Sequence, residues 1–358
     1  MDLKNLEICL MKINKISLGA NIIEGPWGGG NNFFKNFHKY FEKKGIKVIN
    51  HLADEDIDLI LLTDPRKSSL SSSYTHKDIQ LYKKNINPNV FVIQRINECD
   101  QRKNTKGVNE FYINANKVAD HTVFVSRWLY DVYNQDGFDA DFSVILGGGD
   151  SDLFKNIRNK SWNNKEKFKI VSHHWSDNAM KGHDLYKQLD EIVSTSDLGN
   201  KIEVNFIGNF SNKENFKNIN FFEPLSGAEL VKKLNENNAY ITGSLNEPSG
   251  NHHIEAAQCG LPILFKKSGG IPEYCNGYGL EYDSENLESK ISELIANHSS
   301  YLLKMKDYQF RNEDMFSKYE NLFTNINKSK LDTKKSTIVF LFLIYKKLIN
   351  NIKLKIFT

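Results

Sequence analysis

The chain has 358 residues, 40% hydrophobic and 25% charged, a composition that belongs to folded globular proteins and excludes the disordered, collagen-like and membrane-spanning classes. At roughly 100 to 200 residues per domain, this length predicts two domains. Basic residues number 47 against 44 acidic, yet residues 328–358 alone hold eight lysines and one acid, so the body carries 39 basic against 43 acidic residues and is no general nucleic-acid binder. The cysteines Cys9, Cys99, Cys259 and Cys275 form no Cys-x-x-Cys pair and have no histidine at zinc-finger spacing, so neither a disulfide framework nor structural zinc is expected, and a cytoplasmic setting fits. The apolar stretch 8–11 lies among Asp2, Lys4, Glu7 and Lys12, which argues against a secretory signal.

Short β-rich runs alternate with helical patterns. In chain order the first half predicts strands at 13–18, 46–49, 59–62, 90–93, 122–125 and 142–146, with a helix over 33–43. Between the first strand and that helix lies Gly25-Pro26-Trp27-Gly28-Gly29-Gly30, which is either a tight turn or a loop whose backbone approaches a ligand. After strand 90–93 comes Arg95-Ile96-Asn97-Glu98-Cys99-Asp100-Gln101-Arg102-Lys103, either a charged cleft wall or a salt-bridged loop; Arg95, Asn97 and Asp100 are candidates for binding an acceptor. The run Gly147-Gly148-Gly149-Asp150 falls near the middle and reads as a turn or a hinge.

The second half predicts strands at 168–171, 204–207, 220–222, 239–242 and 262–265, and helices over 184–193, 227–235, 287–296 and 313–323. β-α-β order twice over predicts two parallel-sheet, doubly wound Rossmann-like α/β domains facing a cleft, residues 1–150 and 151–327, the last helix a candidate to cross back. Ligands are expected at the C-terminal ends of the strands.

The densest chemical signal is Asn246-Glu247-Pro248-Ser249-Gly250-Asn251-His252-His253-Ile254-Glu255-Ala256-Ala257-Gln258-Cys259-Gly260-Leu261-Pro262, between strand 239–242 and the next strand. Glu247 sits at the loop tip and Glu255 about two helical turns further along. Free backbone N–H groups from Ser249 to His252 suit a pyrophosphate, for which the helix dipole alone contributes about 0.3 to 1 kcal/mol.

The pair Glu247 and Glu255, together with Gly269-Gly270-Ile271-Pro272-Glu273, resembles the donor half of the retaining, nucleotide-sugar-dependent glycosyltransferases of GT-B fold marked by Glu-x7-Glu. The resemblance implies that residues 1–150 form the acceptor side and 151–327 the donor side, that Glu255 accepts hydrogen bonds from the donor ribose and that Glu247 contacts the transferred sugar. Ser249, Gly250, Asn251 and His252 would line the phosphates or sugar, and Gly28 and Gly29 would approach the donor from the first domain. In the loop Val171-Ser172-His173-His174-Trp175-Ser176-Asp177-Asn178-Ala179-Met180-Lys181-Gly182, Lys181 matches the family's phosphate-binding lysine. The accompanying arginine is absent, leaving His173, His174 and Asn178 as candidates to substitute by hydrogen bonding. A metal shared by His173 and His174 is disfavoured, because adjacent residues on a strand point to opposite sides. The histidine that many members place near 93–103 is also absent.

The implied function is transfer of a sugar from a nucleotide-diphosphate donor to an acceptor hydroxyl, with retention, in surface glycan or polysaccharide synthesis. Glu247 and Lys181 would be catalytic, with no metal and no cofactor beyond the nucleotide-sugar co-substrate. Two alternatives stay open: a sugar-nucleotide epimerase of similar fold, and a catalytically silent nucleotide-sugar binding protein. In the segment 328–358, Leu341, Tyr345, Leu348, Ile349, Ile352 and Ile356 recur at helical spacing, with Lys346, Lys347 and Lys353 towards the other side. This describes a basic amphipathic helix, suited to the anionic inner face of a membrane and a lipid-linked acceptor, or one that packs back on the body or self-associates.

Overall fold

The computed structural model describes residues 12–23, 29–158, 162–325 and 335–357. The first sheet contains β1 (Lys15–Leu18), β2 (Lys47–Ile49), β3 (Leu59–Leu62), β4 (Phe91–Ile96), β5 (His121–Phe124) and β6 (Phe142–Val144), in the order β2-β1-β3-β4-β5-β6. The second contains β7 (Phe168–His174), β8 (Ile202–Gly208), β9 (Ile219–Phe222), β10 (Ala239–Thr242), β11 (Ile263–Lys266) and β12 (Gly279–Tyr282), in the order β12-β11-β10-β7-β8-β9. The pairings in both sheets are parallel. Leu59, Ile60, Leu61 and Leu62 of β3 are all fully buried, as a parallel strand covered on both faces requires. Strand β12 has no β-branched run to announce it; it forms at the sheet edge beside β11, and its Tyr282 hydroxyl donates to the Thr242 carbonyl at 3.0 Å.

The first domain carries α1 (Gly29–Lys43), α2 (His76–Asn85), α3 (Asp100–Lys103), α4 (Val108–Asn116) and α5 (Arg127–Gln135). The second carries α6 (His183–Thr195), α7 (Gly227–Asn235), α8 (Asn251–Gln258), α9 (Ile271–Cys275), α10 (Leu287–Ala296) and α11 (His298–Met305), followed by α12 (Asn312–Thr324) and α13 (Thr337–Phe357). Helix α1 buries Phe33, Phe34, Phe37 and Phe41 along one stripe. Met315, Phe316, Tyr319 and Phe323 of α12 join that same core with Ile16 and Leu18, so the chain returns to the first domain after completing the second. The two crossings lie side by side: Gly149 N–H donates to the Phe310 carbonyl at 3.0 Å, and Asn312 N–H donates to the Gly149 carbonyl at 2.9 Å. A Cβ on Gly148 would stand 2.3 Å from the Arg311 carbonyl oxygen, so the mid-chain glycine run serves close backbone approach.

Helix α13 docks on the first domain. Ser336 N–H donates to the Asn85 carbonyl at 2.9 Å, Lys346 pairs with Asp78, and Asn350 and Asn21 exchange amide hydrogen bonds at 2.7 and 3.1 Å. It therefore runs antiparallel to α2, and Val339, Phe340 and Leu343 complete the core around Ile79, Tyr82 and Val90. Packing back on the body, one of the outcomes the sequence left open, is what this face of the helix does.

Candidate functional site

In the second sheet the chain order reverses between β7 and β10, and the loops leaving that switch point are where a ligand belongs. The two loops are fastened together, because Leu245 N–H donates to the Met180 carbonyl at 2.7 Å. Gly182 has φ 86°, and a Cβ there would stand 2.2 Å from the Gly243 carbonyl oxygen, so only glycine lets the loops close this far. The closure sets Lys181 on Glu247, with Nζ paired to Oε2.

Glu247 is only 5% exposed. Its second oxygen, Oε1, lies 3.2 Å from Nε of Arg102, a residue of the first domain that also reaches Glu98 at 3.4 Å. Burial opposes the charged carboxylate, but Arg102 and Lys181 outweigh it and hold the Glu247 carboxyl at about 2, below its ordinary 4.5. Arg102, Lys103 and Lys181 face the two carboxylates Glu98 and Glu247, which leaves one positive charge in excess at the mouth of the cleft.

The second acid, Glu255, is 9% exposed and bonds through Oε2 to His173 Nε2 at 3.1 Å. Gly250, at φ 80°, precedes α8, and a Cβ on it would stand 2.8 Å from His253 Cε1 and 3.0 Å from Glu247 Cγ. Across the cleft, a Cβ on Gly29 would lie 2.8 Å from the Asn251 side chain. The glycine loop of the first domain thus meets the first turn of α8, whose N–H groups lack intrahelical acceptors. Gly28 lies outside the described residues. Ser249 lies beside Gly147, where a Cβ would stand 2.9 Å from the serine Oγ.

Other expected site residues are directed elsewhere. His174 faces the opposite side of β7 from His173 and packs on Phe206 at 4.7 Å; burial, with Lys181 adding, lowers it to about 3. His252 turns its Nε2 towards Thr242 Oγ1 at 3.1 Å, and burial holds it well below its ordinary value. Asn178 uses its Oδ1 to cap the turn before Lys181, accepting from Met180 N–H at 2.8 Å. Asp100 accepts from Val108 and Asn109 N–H at 3.1 and 3.0 Å, which fixes the start of α4 rather than facing the cleft. Asn97 stays half-buried beside Glu98. Arg95 is 7% exposed and lies over the Phe33 ring at 4.1 Å. The buried His253 also has no ring-nitrogen partner, and burial lowers it to about 3. Among the described residues, no three His, Cys, Asp or Glu side chains converge as a metal site.

The residue that sequence reading passed over is Arg102. It stands in the charged run 95–103, four residues from Glu98, which marks it as a local ion pair; its partner Glu247 is in the other domain, where no local pattern reaches.

No protein-family model and no curated protein matches the sequence. Solved structures do resemble it. Sucrose-phosphate synthase from Thermosynechococcus elongatus has a TM-score of 0.63 at 14% identity, with 87% of this chain and 98% of that chain covered. HepE of Anabaena, solved with UDP-glucose, has a TM-score of 0.64 at 14% identity over 87% of this chain and all of that one (100%). The lipopolysaccharide outer core galactosyltransferase WaaB gives 0.62 at 13% identity, over 87% and 100% of the two chains. These likenesses define the class of fold: the chain has the two-domain GT-B architecture. At such identities the likeness extends to the fold alone.

Proposed function

We propose that this protein is a glycosyltransferase that moves a sugar from a nucleotide-diphosphate donor to an acceptor hydroxyl of a glycan or lipid-linked saccharide. The observation that carries the reading is Glu247, buried at the switch point between one cation from each domain and beside the first turn of α8. As the glycosidic bond to the diphosphate breaks, negative charge develops on the leaving phosphate. Lys181 and Arg102, fixed in advance by Glu247, and the α8 amides supply positive charge and donors for that phosphate. Arg102 takes the place of the arginine missing from the loop after β7, supplying the second cation from the acceptor domain. Glu255, fixed by His173, receives the donor ribose, and Glu247 receives the transferred sugar. Retention of configuration follows the family resemblance, with the leaving phosphate serving as the base.

The cations stand where a divalent ion would otherwise balance the diphosphate, so activity should survive EDTA; loss restored by magnesium or manganese would overturn that part. The test of the whole reading is a panel of nucleotide sugars beginning with UDP-glucose, the ligand of the HepE structure. A true donor at about 100 times its Kd stabilises the fold by about 2.7 kcal/mol and is consumed when acceptor is added. Isomerised free nucleotide sugar without acceptor would make the protein an epimerase. Binding with neither transfer nor hydrolysis would make it a silent binding protein.

A further inference from the structure

Helix α13 has two apolar sides, and the described residues cover only one. Val339, Phe340 and Leu343 enter the first domain's core, while Ile338, Leu341, Phe342, Tyr345, Leu348 and Ile352 remain exposed, Ile338 at 81% and Leu341 and Tyr345 at 59% each. At 3.6 residues per turn the exposed six form one continuous stripe along the helix, opposite the docked face. Lys353 and Lys355, both exposed, fall on its two borders near the C-terminal end. The helix Thr337–Phe357 holds four lysines and no acid. Two acids beside this segment, Asp78 and Glu55, are paired to Lys346 and Lys335. No helix of the described residues is long and apolar enough to cross a membrane.

We infer that this stripe is a docking face for an anionic lipid bilayer, on which α13 lies parallel to the surface with its apolar side chains among the acyl chains and Lys353 and Lys355 at the headgroups. Apolar bulk bordered by long cationic side chains is what an interfacial helix needs, the lysine stems lying along apolar surface while the ammonium groups meet phosphate. A second copy of the chain would present the same stripe, with lysine and no acid, and would leave those lysines unmatched; anionic headgroups match them. The docking also has a direction. Asn350 is bonded to Asn21, just past the C-terminal end of β1, so the helix lies along the rim from which the chain proceeds to Gly29 and the cleft. A bilayer on the stripe lies on the first domain's side of the molecule, over the helix that α2 carries. The bearing of this on a lipid-borne acceptor rests on the glycosyl-transfer reading; the docking itself does not.

The test is flotation of the full chain with vesicles of phosphatidylcholine alone and of phosphatidylcholine mixed with phosphatidylglycerol, at low and high salt. The expected result is binding to the mixed vesicles that weakens with salt. The double substitution Leu341→Glu, Tyr345→Glu should reduce the bound fraction at least tenfold with an unchanged melting temperature, since both side chains are solvent-facing. Lys353→Glu with Lys355→Glu should also lower it at least tenfold, without touching the apolar stripe, and stands as a second measurement should the first variant misfold. No binding by the unaltered chain, equal binding to neutral vesicles, or undiminished binding by these variants would overturn the inference. So would a dimer in light scattering that Leu341→Glu, Tyr345→Glu dissolves, which would make the occupant a second copy. The UDP-glucose thermal shift of the same variants reads the donor site separately, so failure of docking and failure of glycosyl transfer are distinguishable.

Discussion

The Arg102 guanidinium of the first domain meets the Glu247 carboxylate of the second at 3.2 Å, across the cleft. The contact makes the charge around Glu247 depend on the position of the first domain: with the domains together, Glu247 carries two cations, and with them apart it keeps Lys181. Arg102→Ala should therefore lower kcat more than it weakens nucleotide binding. A charge-assisted hydrogen bond of roughly 1.5 to 3 kcal/mol corresponds to about a tenfold to 150-fold loss. Arg102→Lys, which keeps the charge but not the planar fork, should recover part of it. Steady-state kinetics alongside thermal melting separate this from misfolding; unchanged kcat in a folded Arg102→Ala would remove the residue from the chemistry.

Among the described residues Glu255 hydrogen-bonds one side chain, His173, through Oε2, and so keeps acceptor capacity for a ligand. Glu255→Ala should weaken donor binding by about 1.5 to 3 kcal/mol, or roughly tenfold to 150-fold in Kd. Calorimetric titration with UDP-glucose and with UDP should show the same loss for both, since a ribose contact does not distinguish them. A loss confined to UDP-glucose would shift Glu255 to the sugar.

What could be read from the sequence depended on how local the determinant is. The parallel strands appeared as buried β-branched or leucine runs, and the Glu247 loop was visible because its acids, glycines and turn residues fall within one βα unit. β12 was missed because Gly279-Leu280-Glu281-Tyr282 has no such run and is specified by its neighbour β11. β7 extends through His174, beyond the expected 168–171, which sets His173 and His174 within the strand, on the opposite faces that adjacent strand residues take. Arg102 was hidden because its partner lies in the other domain. The two faces of α13 could not be told apart by periodicity, because apolar residues occur on both, and only the position of α2 decides which is covered.

Acid should destabilise the fold in two stages. The folded His174 takes its proton only near 3, against 6.5 ordinarily, so its neutral state contributes stability that is fully present above about 6.5 and is lost as pH falls towards 3. Glu247, lowered from 4.5 to about 2, adds stability that is present above 4.5 and lost as pH falls towards 2. The early loss therefore belongs to the buried histidines, each with a slope of at most about 1.4 kcal/mol per pH unit. His174→Phe, placing a ring against Phe206 and Tyr186 without a titrating group, should flatten the dependence between about pH 6.5 and about pH 5 by one proton's worth. Denaturant unfolding at several pH values measures this; an unchanged slope would mean that His174 is solvated or hydrogen-bonded in solution.

The last relationship to test is a carboxylate of one domain capping a helix of the other. Glu273, in the Gly-Gly-Ile-Pro-Glu turn of the second domain, accepts from Arg127 N–H at 2.8 Å and Trp128 N–H at 2.9 Å, the first residues of α5 in the first domain. Next to it the Tyr274 hydroxyl accepts from Gly147 N–H at 2.8 Å and donates to the Val125 carbonyl at 2.5 Å. The same turn abuts the Glu247 backbone, since Gly270 N–H donates to the Glu247 carbonyl at 2.9 Å. The motif therefore connects the Glu247 loop to the domain interface, and Glu273 does so through the first N–H groups of α5 and its positive dipole end. Glu273→Ala should destabilise the chain by about 0.5 to 2 kcal/mol, as loss of a helix cap does. Glu273→Gln, which keeps an acceptor oxygen but not the charge, should fall between the two. If the cap also fixes the closed position, Glu273→Ala will raise the KM for acceptor together with the loss of stability, whereas a purely local cap would leave kinetics at low temperature unchanged. Small-angle scattering of the variant completes the measurement: a radius of gyration equal to that of the unaltered chain, with unchanged kinetics, would reduce Glu273 to a helix cap and nothing more.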